Sequence, residues 1–170
     1  RQNQNADGTP GDIYKSTTIR DHLRAGRSLD AAYQLGRWWE VDARVQHGAK
    51  RGRQIGFPTA NLVLGEYLRP AFGVYAVRVA ILSEGHEPGD AASEAGGGLQ
   101  WLPGVANLGS RPTIDDDNEE RLEVHLKDFD GDLYGRQLRV ALVDHLRPER
   151  KFDGLDALKG QQFKCNLFVD

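Results

Sequence analysis

The stretch Trp39-Glu40-Val41-Asp42-Ala43-Arg44-Val45 decides the fold class. Its apolar and charged residues alternate, and this period of two predicts a strand that buries one face. Further strand-like stretches follow, bounded by glycine or proline, at residues 60–64, 74–82, 100–108, 122–129 and 138–143. Because no helical pattern separates them, these short strands predict a mainly β protein, an antiparallel barrel or sandwich. The pair Asp130-Gly131 predicts a tight turn that joins the strand ending at Phe129 to the next strand.

Two short helices are predicted before this β region. Ser16 or Thr17 is a suitable cap for the first helix, which Gly26 ends. Ser28 is a suitable cap for the second helix, which ends at Gly36.

The remaining segments complete the domain organisation. Residues 1–15 are polar and predict a flexible arm, whereas Asp153 predicts the start of a C-terminal helix. The stretch 83–98 is rich in Gly, Ala, Ser and Glu and predicts a solvated surface insertion. We therefore divide the chain into a helical N-terminal segment, residues 1–36, and a β domain, residues 37–170.

Composition bounds the class of protein. The chain has 170 residues and a net charge of −3, which fits one compact domain with a short appendage and argues against bulk nucleic-acid binding. Its single cysteine, Cys165, excludes an internal disulfide and indicates a reducing compartment, the cytoplasm. No apolar run approaches the roughly 20 residues that span a bilayer. The chain contains no methionine and begins with Arg1, so we expect it to be a fragment of a longer protein.

The densest chemical signal lies between positions 48 and 61. Glycine recurs there at every fourth position with three cations interleaved, as Gly48, Lys50, Arg51, Gly52, Arg53 and Gly56. Glycine lets the backbone approach an anion and point its amides at it, while Lys and Arg neutralise phosphate charge. The pattern is neither a Walker loop nor a dinucleotide fingerprint. Taken alone, it fits a phosphate-binding loop and a solvated basic hairpin equally well.

The residues that follow, Pro58-Thr59-Ala60-Asn61, favour the phosphate interpretation. In an extended segment, Thr59 and Asn61 project from the same face. A hydroxyl and an amide carbonyl are hard oxygen donors, suited to a magnesium ion that keeps waters and phosphate oxygens as its other ligands. The alternative is that both side chains only satisfy backbone groups at the end of a strand.

A second candidate site is the stretch Leu122-Glu123-Val124-His125-Leu126. Its apolar residues form one face, which leaves Glu123 and His125 on the other. A carboxylate on a rigid strand is well placed to act as a general base toward a hydroxyl. The alternative is that Glu123 is only solvated, and for His125 we expect no catalytic role.

Two further patterns have plainer interpretations. The acidic run at 115–117, with Glu119 and Glu120, lacks the spacing of a calcium loop and predicts a solvated turn. Trp38 and Trp39 adjoin the basic loop, a placement that is compatible with base stacking. On an alternating strand, however, one of the two is expected to face the core.

Several motifs in sequence order resemble those of riboflavin kinases. The first is 48–61, ending Gly-Phe-Pro-Thr-Ala-Asn, and further matches lie at 73–75, at 104–113, around Glu123 and at 146–153. The stretch Lys15-Ser16-Thr17-Thr18-Ile19-Arg20 resembles the end of the adenylyltransferase module of bacterial bifunctional FAD synthetases, which a kinase module follows. The chain is thus similar to the C-terminal part of such an enzyme.

The resemblance implies a six-stranded antiparallel Greek-key barrel with a C-terminal helix and a short helical N-terminal remnant. It also implies transfer of the ATP γ-phosphate to the 5′-hydroxyl of riboflavin, giving FMN and ADP. Glu123 would take the proton from that hydroxyl, and Thr59 and Asn61 would bind magnesium together with the ATP phosphates. The other nucleotide-binding positions implied are Gly48, Gly52, Arg53, Leu126, Asp128 and Tyr134. The flavin-binding positions implied are Arg147, Arg150 and Phe152.

Alternative functions remain open beside this one. One is a non-catalytic flavin-binding barrel. Another is a barrel that binds single-stranded nucleic acid through Trp38, Trp39 and the cations at 50–53, which the acidic net charge disfavours. We expect small-molecule substrates, no nucleic-acid or membrane partner, and an adenylyltransferase module in the full-length protein. FAD synthesis by this chain is not expected, because it lacks the nucleotide site of that module.

Overall fold

The secondary structure is mostly β. A computed structural model of the chain describes residues 2–4, 10–13, 15–46, 59–82, 99–111 and 119–149. Its elements are, in chain order, β1 (Gln2–Gln4), β2 (Pro10–Ile13), α1 (Ser16–Arg24), α2 (Ser28–Leu35), β3 (Trp39–Arg44), β4 (Ala60–Val63), β5 (Gly73–Ile81), β6 (Trp101–Arg111), β7 (Glu119–Leu126) and β8 (Gln137–Pro148).

Six of the strands form one antiparallel sheet in the spatial order β3-β8-β5-β6-β7-β4. Strands β5, β6 and β7 are consecutive neighbours, and β8 returns to pair with β5 on the far side. This arrangement, three hairpin-connected strands and a fourth that lies beside the first, is a Greek key. The predicted antiparallel Greek-key sheet is therefore confirmed, while the predicted C-terminal helix lies outside the described residues.

The sheet curls until its two edge strands meet. Just beyond β3, Gln46 forms a bridge with Asn61 of β4, and the Gln46 backbone N–H donates to the Asn61 carbonyl oxygen at 2.9 Å. This bridge satisfies backbone groups at the point where the two edges meet. We call this contact between Gln46 and Asn61 the seam.

The core fills the inside of the curl. The largest buried side chains there include Leu62, Leu64, Tyr75, Val77, Val79, Leu108, Leu122, Val124, Leu138 and Leu142. The Tyr75 hydroxyl donates to the Ala71 carbonyl oxygen, and burial raises the pKa of Tyr75, so the hydroxyl stays protonated as a donor. The alternation predicted for residues 39–45 and 122–126 is confirmed, because their apolar residues face this core.

A buried ion pair joins β3 to β8 on the opposite, outer face of the sheet. The Arg139 guanidinium donates to both carboxylate oxygens of Asp42, at 2.8 and 2.9 Å. The two side chains are only 5% and 4% exposed. A buried charge needs such a bidentate partner, since an unpaired one carries a large desolvation cost.

The two helices are anchored to the sheet at the turn between them. Leu23 of α1 is buried, and its carbonyl oxygen accepts a hydrogen bond from the Ala71 N–H at 2.9 Å. Gly26, in the turn, has φ +74° and lies against the His145 ring. The Nε2 atom of His145 is 3.3 Å from the Phe72 carbonyl oxygen, which can only accept, so Nε2 carries the hydrogen.

Some local expectations are wrong. Neither helix has a side-chain cap: α1 begins after Lys15, and Ser28 is itself buried with no hydrogen-bond partner for its hydroxyl in the described part of the chain. Residues 2–4 and 10–13 of the predicted arm pair as a two-stranded sheet, which backbone hydrogen bonds allow without an apolar face.

The turn predicted at Asp130-Gly131 does not join two neighbouring strands. Strand β7 pairs with β4 and β6, whereas β8 pairs with β3 and β5. The ten residues between Leu126 and Gln137 therefore cross one end of the barrel instead of closing a hairpin. The residue types of a turn indicate that the chain changes direction there. They do not indicate which strand lies next in the sheet.

Loss of the buried ion pair should be costly. We expect Asp42→Asn to lower the free energy of unfolding by about 3 kcal/mol, because Arg139 would lose a charged partner at hydrogen-bond distance and keep only Glu40, whose carboxylate lies 3.8 Å from its Nε. Urea denaturation measures this change. The matched control is Asp21→Asn, which removes an exposed pair with Arg24 whose atoms are 3.8 Å apart, and it should cost less than about 1 kcal/mol. Equal losses in the two variants would contradict the assigned role of Asp42.

Gly26 and Gly36 have the same φ of +74°. Substitutions at the two positions therefore distinguish the cost of backbone strain from the cost of steric contact. A Cβ at Gly36 has open space, whereas one at Gly26 would lie 2.8 Å from His145 Nδ1. We expect Gly36→Ala to cost about 1–2 kcal/mol for the left-handed backbone, and Gly26→Ala to cost clearly more. His145→Ala should then be less damaging in the Gly26→Ala background than in the wild type, as thermal denaturation of the double-mutant cycle can show.

Candidate active site

The candidate site is a line of three polar side chains across neighbouring strands. In the register of the sheet, Glu123 of β7 lies directly opposite Asn61 of β4 on one side and Asn107 of β6 on the other. Directly opposed residues have Cβ atoms about 4.5–5.5 Å apart. We call Asn61, Glu123 and Asn107 the polar row.

The polar row lies on the outer face because its neighbours in sequence face the core. Along each strand the adjoining residues are buried: Ala60 and Leu62, Leu122 and Val124, Ala106 and Leu108. Since side chains alternate along a strand, the three polar residues must point the other way. Each is half-buried. A solute that reaches this face can therefore contact all three.

Thr59 and Asn61 meet at the seam. Thr59 directly precedes β4, and the Asn61 side-chain Nδ2 donates to the Thr59 carbonyl oxygen at 3.4 Å. The predicted alternative, that Asn61 satisfies nearby backbone, thus holds for its amide N–H. The Asn61 Oδ1 atom takes no part in this bond. Together with the Thr59 hydroxyl it offers the hard oxygen donors that suit magnesium, so the donor chemistry fits the predicted ion.

The connection between β7 and β8 is held beside the seam. Val45 and Gly135 bond through their backbones at 3.1 Å, and the Arg44 guanidinium donates to the Gly135 carbonyl oxygen at 2.8 Å. Next to this anchor, Tyr134 packs against the core. Asp128, with φ +53°, follows β7 at the end of the sheet where β4 begins. Two of the predicted nucleotide-binding residues are thereby brought to the end of the barrel that carries Thr59.

Leu126, the third predicted nucleotide-binding residue in this region, is buried in the core. Its side chain therefore contributes to packing, and its contact with a nucleotide stays a prediction. Gly48, Gly52, Arg53, Arg150 and Phe152 lie outside the described residues, so their roles also stay predictions.

Arg147, predicted to bind flavin, lies further along the same line. It pairs with Val74, which pairs in turn with Asn107. Three strand spacings separate Arg147 from Glu123, roughly 14 Å. A small apolar cluster of Val74, Val105 and Leu146 adjoins this interval. The outer face thus carries a carboxylate, an apolar surface and a cation in succession.

Sequence reasoning missed Asn107. It belongs to one of the motifs that resemble riboflavin kinases, but it received no role of its own. The available signal was its residue type, because asparagine is depleted in strand interiors and here stands between Ala106 and Leu108. Of the acidic run, Glu120 forms an ion pair with Arg69, which is a structural contact. Among the described residues, no group of three or more His, Cys, Asp and Glu is placed to hold a metal.

These features define a small Greek-key barrel whose outer face carries a polar row beside the seam. Residues 35–164 match the family model for riboflavin kinase, also described as flavokinase. The chain belongs to the riboflavin kinase family, which confirms the resemblance seen in its motifs. Within the described ranges, no helix is both long enough and apolar enough to span a membrane.

Individual relatives agree with the family assignment. The chain is 44% identical over 144 residues to the bifunctional riboflavin kinase/FMN adenylyltransferase of Pseudomonas fluorescens, a match that covers 85% of this chain and 41% of that protein. It is 36% identical over 149 residues to the protein of the same name from Bacillus subtilis, covering 86% of this chain and 42% of that one. The chain therefore spans about two fifths of the length of these curated relatives.

A solved structure supports the fold. A crystal structure described as a macrolide-efflux protein from Streptococcus pneumoniae matches with a TM-score of 0.77 at 33% identity, covering 99% of this chain and 49% of that chain. The name of that protein describes that protein alone. The structural similarity supports the fold of this chain.

The seam can be tested through the backbone N–H of Gln46. Gln46→Pro removes the N–H that bonds to Asn61, so we expect a loss of about 1–3 kcal/mol in stability and faster hydrogen exchange at residues 60–63. Gln46→Ala keeps the N–H at this exposed position and should behave like the wild type in both measurements. Unchanged exchange in Gln46→Pro would show that the contact with Asn61 does not hold the edges together.

Proposed function

We propose that this chain transfers the γ-phosphate of ATP to the 5′-hydroxyl of riboflavin, giving FMN and ADP. The observation that supports it most directly is the polar row, which sets a carboxylate beside hard oxygen donors. Membership of the riboflavin kinase family supports ATP and riboflavin as the substrates that bind at this site.

Glu123 is the proposed general base. It takes the proton from the 5′-hydroxyl of riboflavin while the hydroxyl oxygen forms a bond to the γ-phosphorus. The bond from that phosphorus to the bridging oxygen of ADP breaks in the same displacement. Phosphoryl transfer depends mainly on positioning and charge neutralisation, so one carboxylate within hydrogen-bond reach of the hydroxyl is sufficient.

Thr59 and Asn61 are the proposed ligands on the nucleotide side. A magnesium ion held by the Thr59 hydroxyl and Asn61 Oδ1 would neutralise charge on the ATP phosphates. The loop containing Gly48, Gly52 and Arg53 is proposed to surround those phosphates with backbone amides and a cation. Because Asn61 and Glu123 are directly opposed, the phosphate and the attacking hydroxyl would meet between them.

The flavin is proposed to extend along the outer face toward Arg147. Riboflavin carries its reacting hydroxyl at the end of a five-carbon chain, away from the ring system. The distance of roughly 14 Å from Glu123 to Arg147 supports binding of the hydroxyl at one end and the ring near the other. A guanidinium can stack on a flat ring as well as hydrogen-bond to it, and Arg150 and Phe152 are proposed to assist there.

The longer protein is proposed to use FMN as the substrate of an adenylyltransferase module. The curated relatives that this chain matches are named for both activities. The single cysteine supports a reducing compartment, which we propose is the cytoplasm. Nucleic-acid binding is less well supported, since Trp39 is partly buried and packs edge-on against Tyr67 at 6.1 Å, which leaves Trp38, 36% exposed, as the more accessible of the two.

The decisive experiment compares wild type with Glu123→Gln. Wild-type chain with magnesium, ATP and riboflavin should produce FMN, as separated by chromatography and detected by fluorescence. Glu123→Gln should lower kcat by about 10²–10⁴-fold, because general-base catalysis is lost, while riboflavin affinity changes little.

The control is Glu66→Gln, the same chemical change at an exposed turn, which should leave kcat unaltered. A folded wild type that makes no FMN refutes the proposed kinase activity. If that wild type still binds riboflavin, with an affinity that magnesium and ATP do not affect, the non-catalytic flavin-binding barrel is supported instead.

A further inference from the structure

We propose that Asn107 is a positioning residue for Glu123. Its side-chain amide donates to one oxygen of the Glu123 carboxylate and leaves the other oxygen to accept the proton from the substrate. This inference rests on the proposed role of Glu123 as general base.

The placement of Asn107 is fixed by the barrel itself. Asn107 lies opposite Glu123 on one side and opposite Val74 on the other. Both of its neighbours along β6, Ala106 and Leu108, are buried in the core, so its side chain cannot turn to the inner face. With Cβ atoms about 5 Å apart, ordinary rotamers bring the Asn107 amide nitrogen to hydrogen-bond distance from the Glu123 carboxylate.

The Asn107 side chain is not engaged by the neighbouring residues that the structure describes. In the part of the chain that the structure describes, neither Asn107 nor Glu123 has a side-chain hydrogen bond to another residue. An amide that only stabilised the strand would be expected to bond to nearby backbone, as the Asn61 amide does. In a protein without substrate, catalytic hydrogen bonds are often unformed and tighten on binding.

The two amides beside Glu123 are not equivalent. Asn61 commits its N–H to the Thr59 carbonyl oxygen, which leaves its own carbonyl oxygen for a cation. Among the described residues, no acceptor takes a hydrogen bond from the Asn107 side chain, so its N–H groups can donate to an anion. The polar row therefore presents an acceptor on one side of Glu123 and a donor on the other. A carboxylate held between them has one oxygen fixed and one free.

Holding the carboxylate matters because a glutamate side chain has three rotatable bonds. Without a donor, Glu123 would point its reactive oxygen at the hydroxyl for only part of the time. Loss of alignment of about 1 Å can lower a rate by roughly 100-fold. Asn107 would act on the chemical step and not on substrate affinity, and this distinguishes positioning from binding.

The test uses steady-state kinetics of two variants, with FMN formation as the assay. Asn107→Ala should lower kcat by about 10–100-fold while KM for riboflavin changes by less than about 3-fold. Asn107→Asp has the same shape but sets a second carboxylate opposite Glu123, so it should lower kcat further than Asn107→Ala does. A purely steric role gives the reverse order, with the isosteric Asp variant closer to wild type, and that order overturns the inference.

A double-mutant cycle separates positioning from general damage. In the Glu123→Gln background, Asn107→Ala should cause no additional loss of kcat, because residues that act as a unit are not additive. A loss that is equally large in both backgrounds overturns the inference. Arg78→Ala, at an exposed position on the outer face of β5, is the matched control and should leave kcat unchanged.

The outcomes also distinguish this inference from the proposed function. A folded wild type that forms no FMN refutes the kinase proposal itself. An active wild type together with an Asn107→Ala variant of unchanged kcat, or one in which only KM rises, refutes the positioning role and leaves the kinase proposal standing.

Discussion

Strand β7 lies between β4 and β6, and the burial of Leu122 and Val124 against the core holds it in register with both. A shift of one residue would turn these apolar side chains to the outer face and bring Glu123 into the core. The hydrophobic pattern that stabilises the barrel therefore also sets Glu123 opposite Asn61 and Asn107. A change in the packing of β7 would therefore also change the position of Glu123 relative to Asn61 and Asn107.

The seam extends this coupling to segments that are far apart in the chain. The bond from Gln46 to Asn61 ties the end of β3 to the start of β4. Beside it, Arg44 anchors the connection that carries Tyr134. Closure of the sheet thus gathers residues from three separate regions at one end of the barrel. Side chains on a closed sheet are held more rigidly than side chains on loops, which suits a reaction that depends on positioning.

The sequence predicted correctly which side chains of a strand face the core, but not which strands lie next to each other in the sheet. Alternation placed Trp39 and Val41 toward the core and Glu123 away from it, because a period of two is a property of each strand alone. Which strands pair is decided by contacts across the whole sheet, so the turn residues Asp130-Gly131 could not show that β7 and β8 are not neighbours. Asn107 was missed for the same reason, since only the register shows that it faces Glu123.

Two polar groups on the outer face show how structural and chemical roles differ. Arg139 and Asp42 are almost fully buried and satisfy each other with two hydrogen bonds, so they present nothing to a ligand. Glu123 and Asn107 are half-buried, directly opposed and not bonded to each other. Polar side chains in a strand interior cost stability unless they are paired. The Arg139–Asp42 pair is explained by its structural role. Glu123 and Asn107 form no hydrogen bond with each other, which favours a chemical role for them.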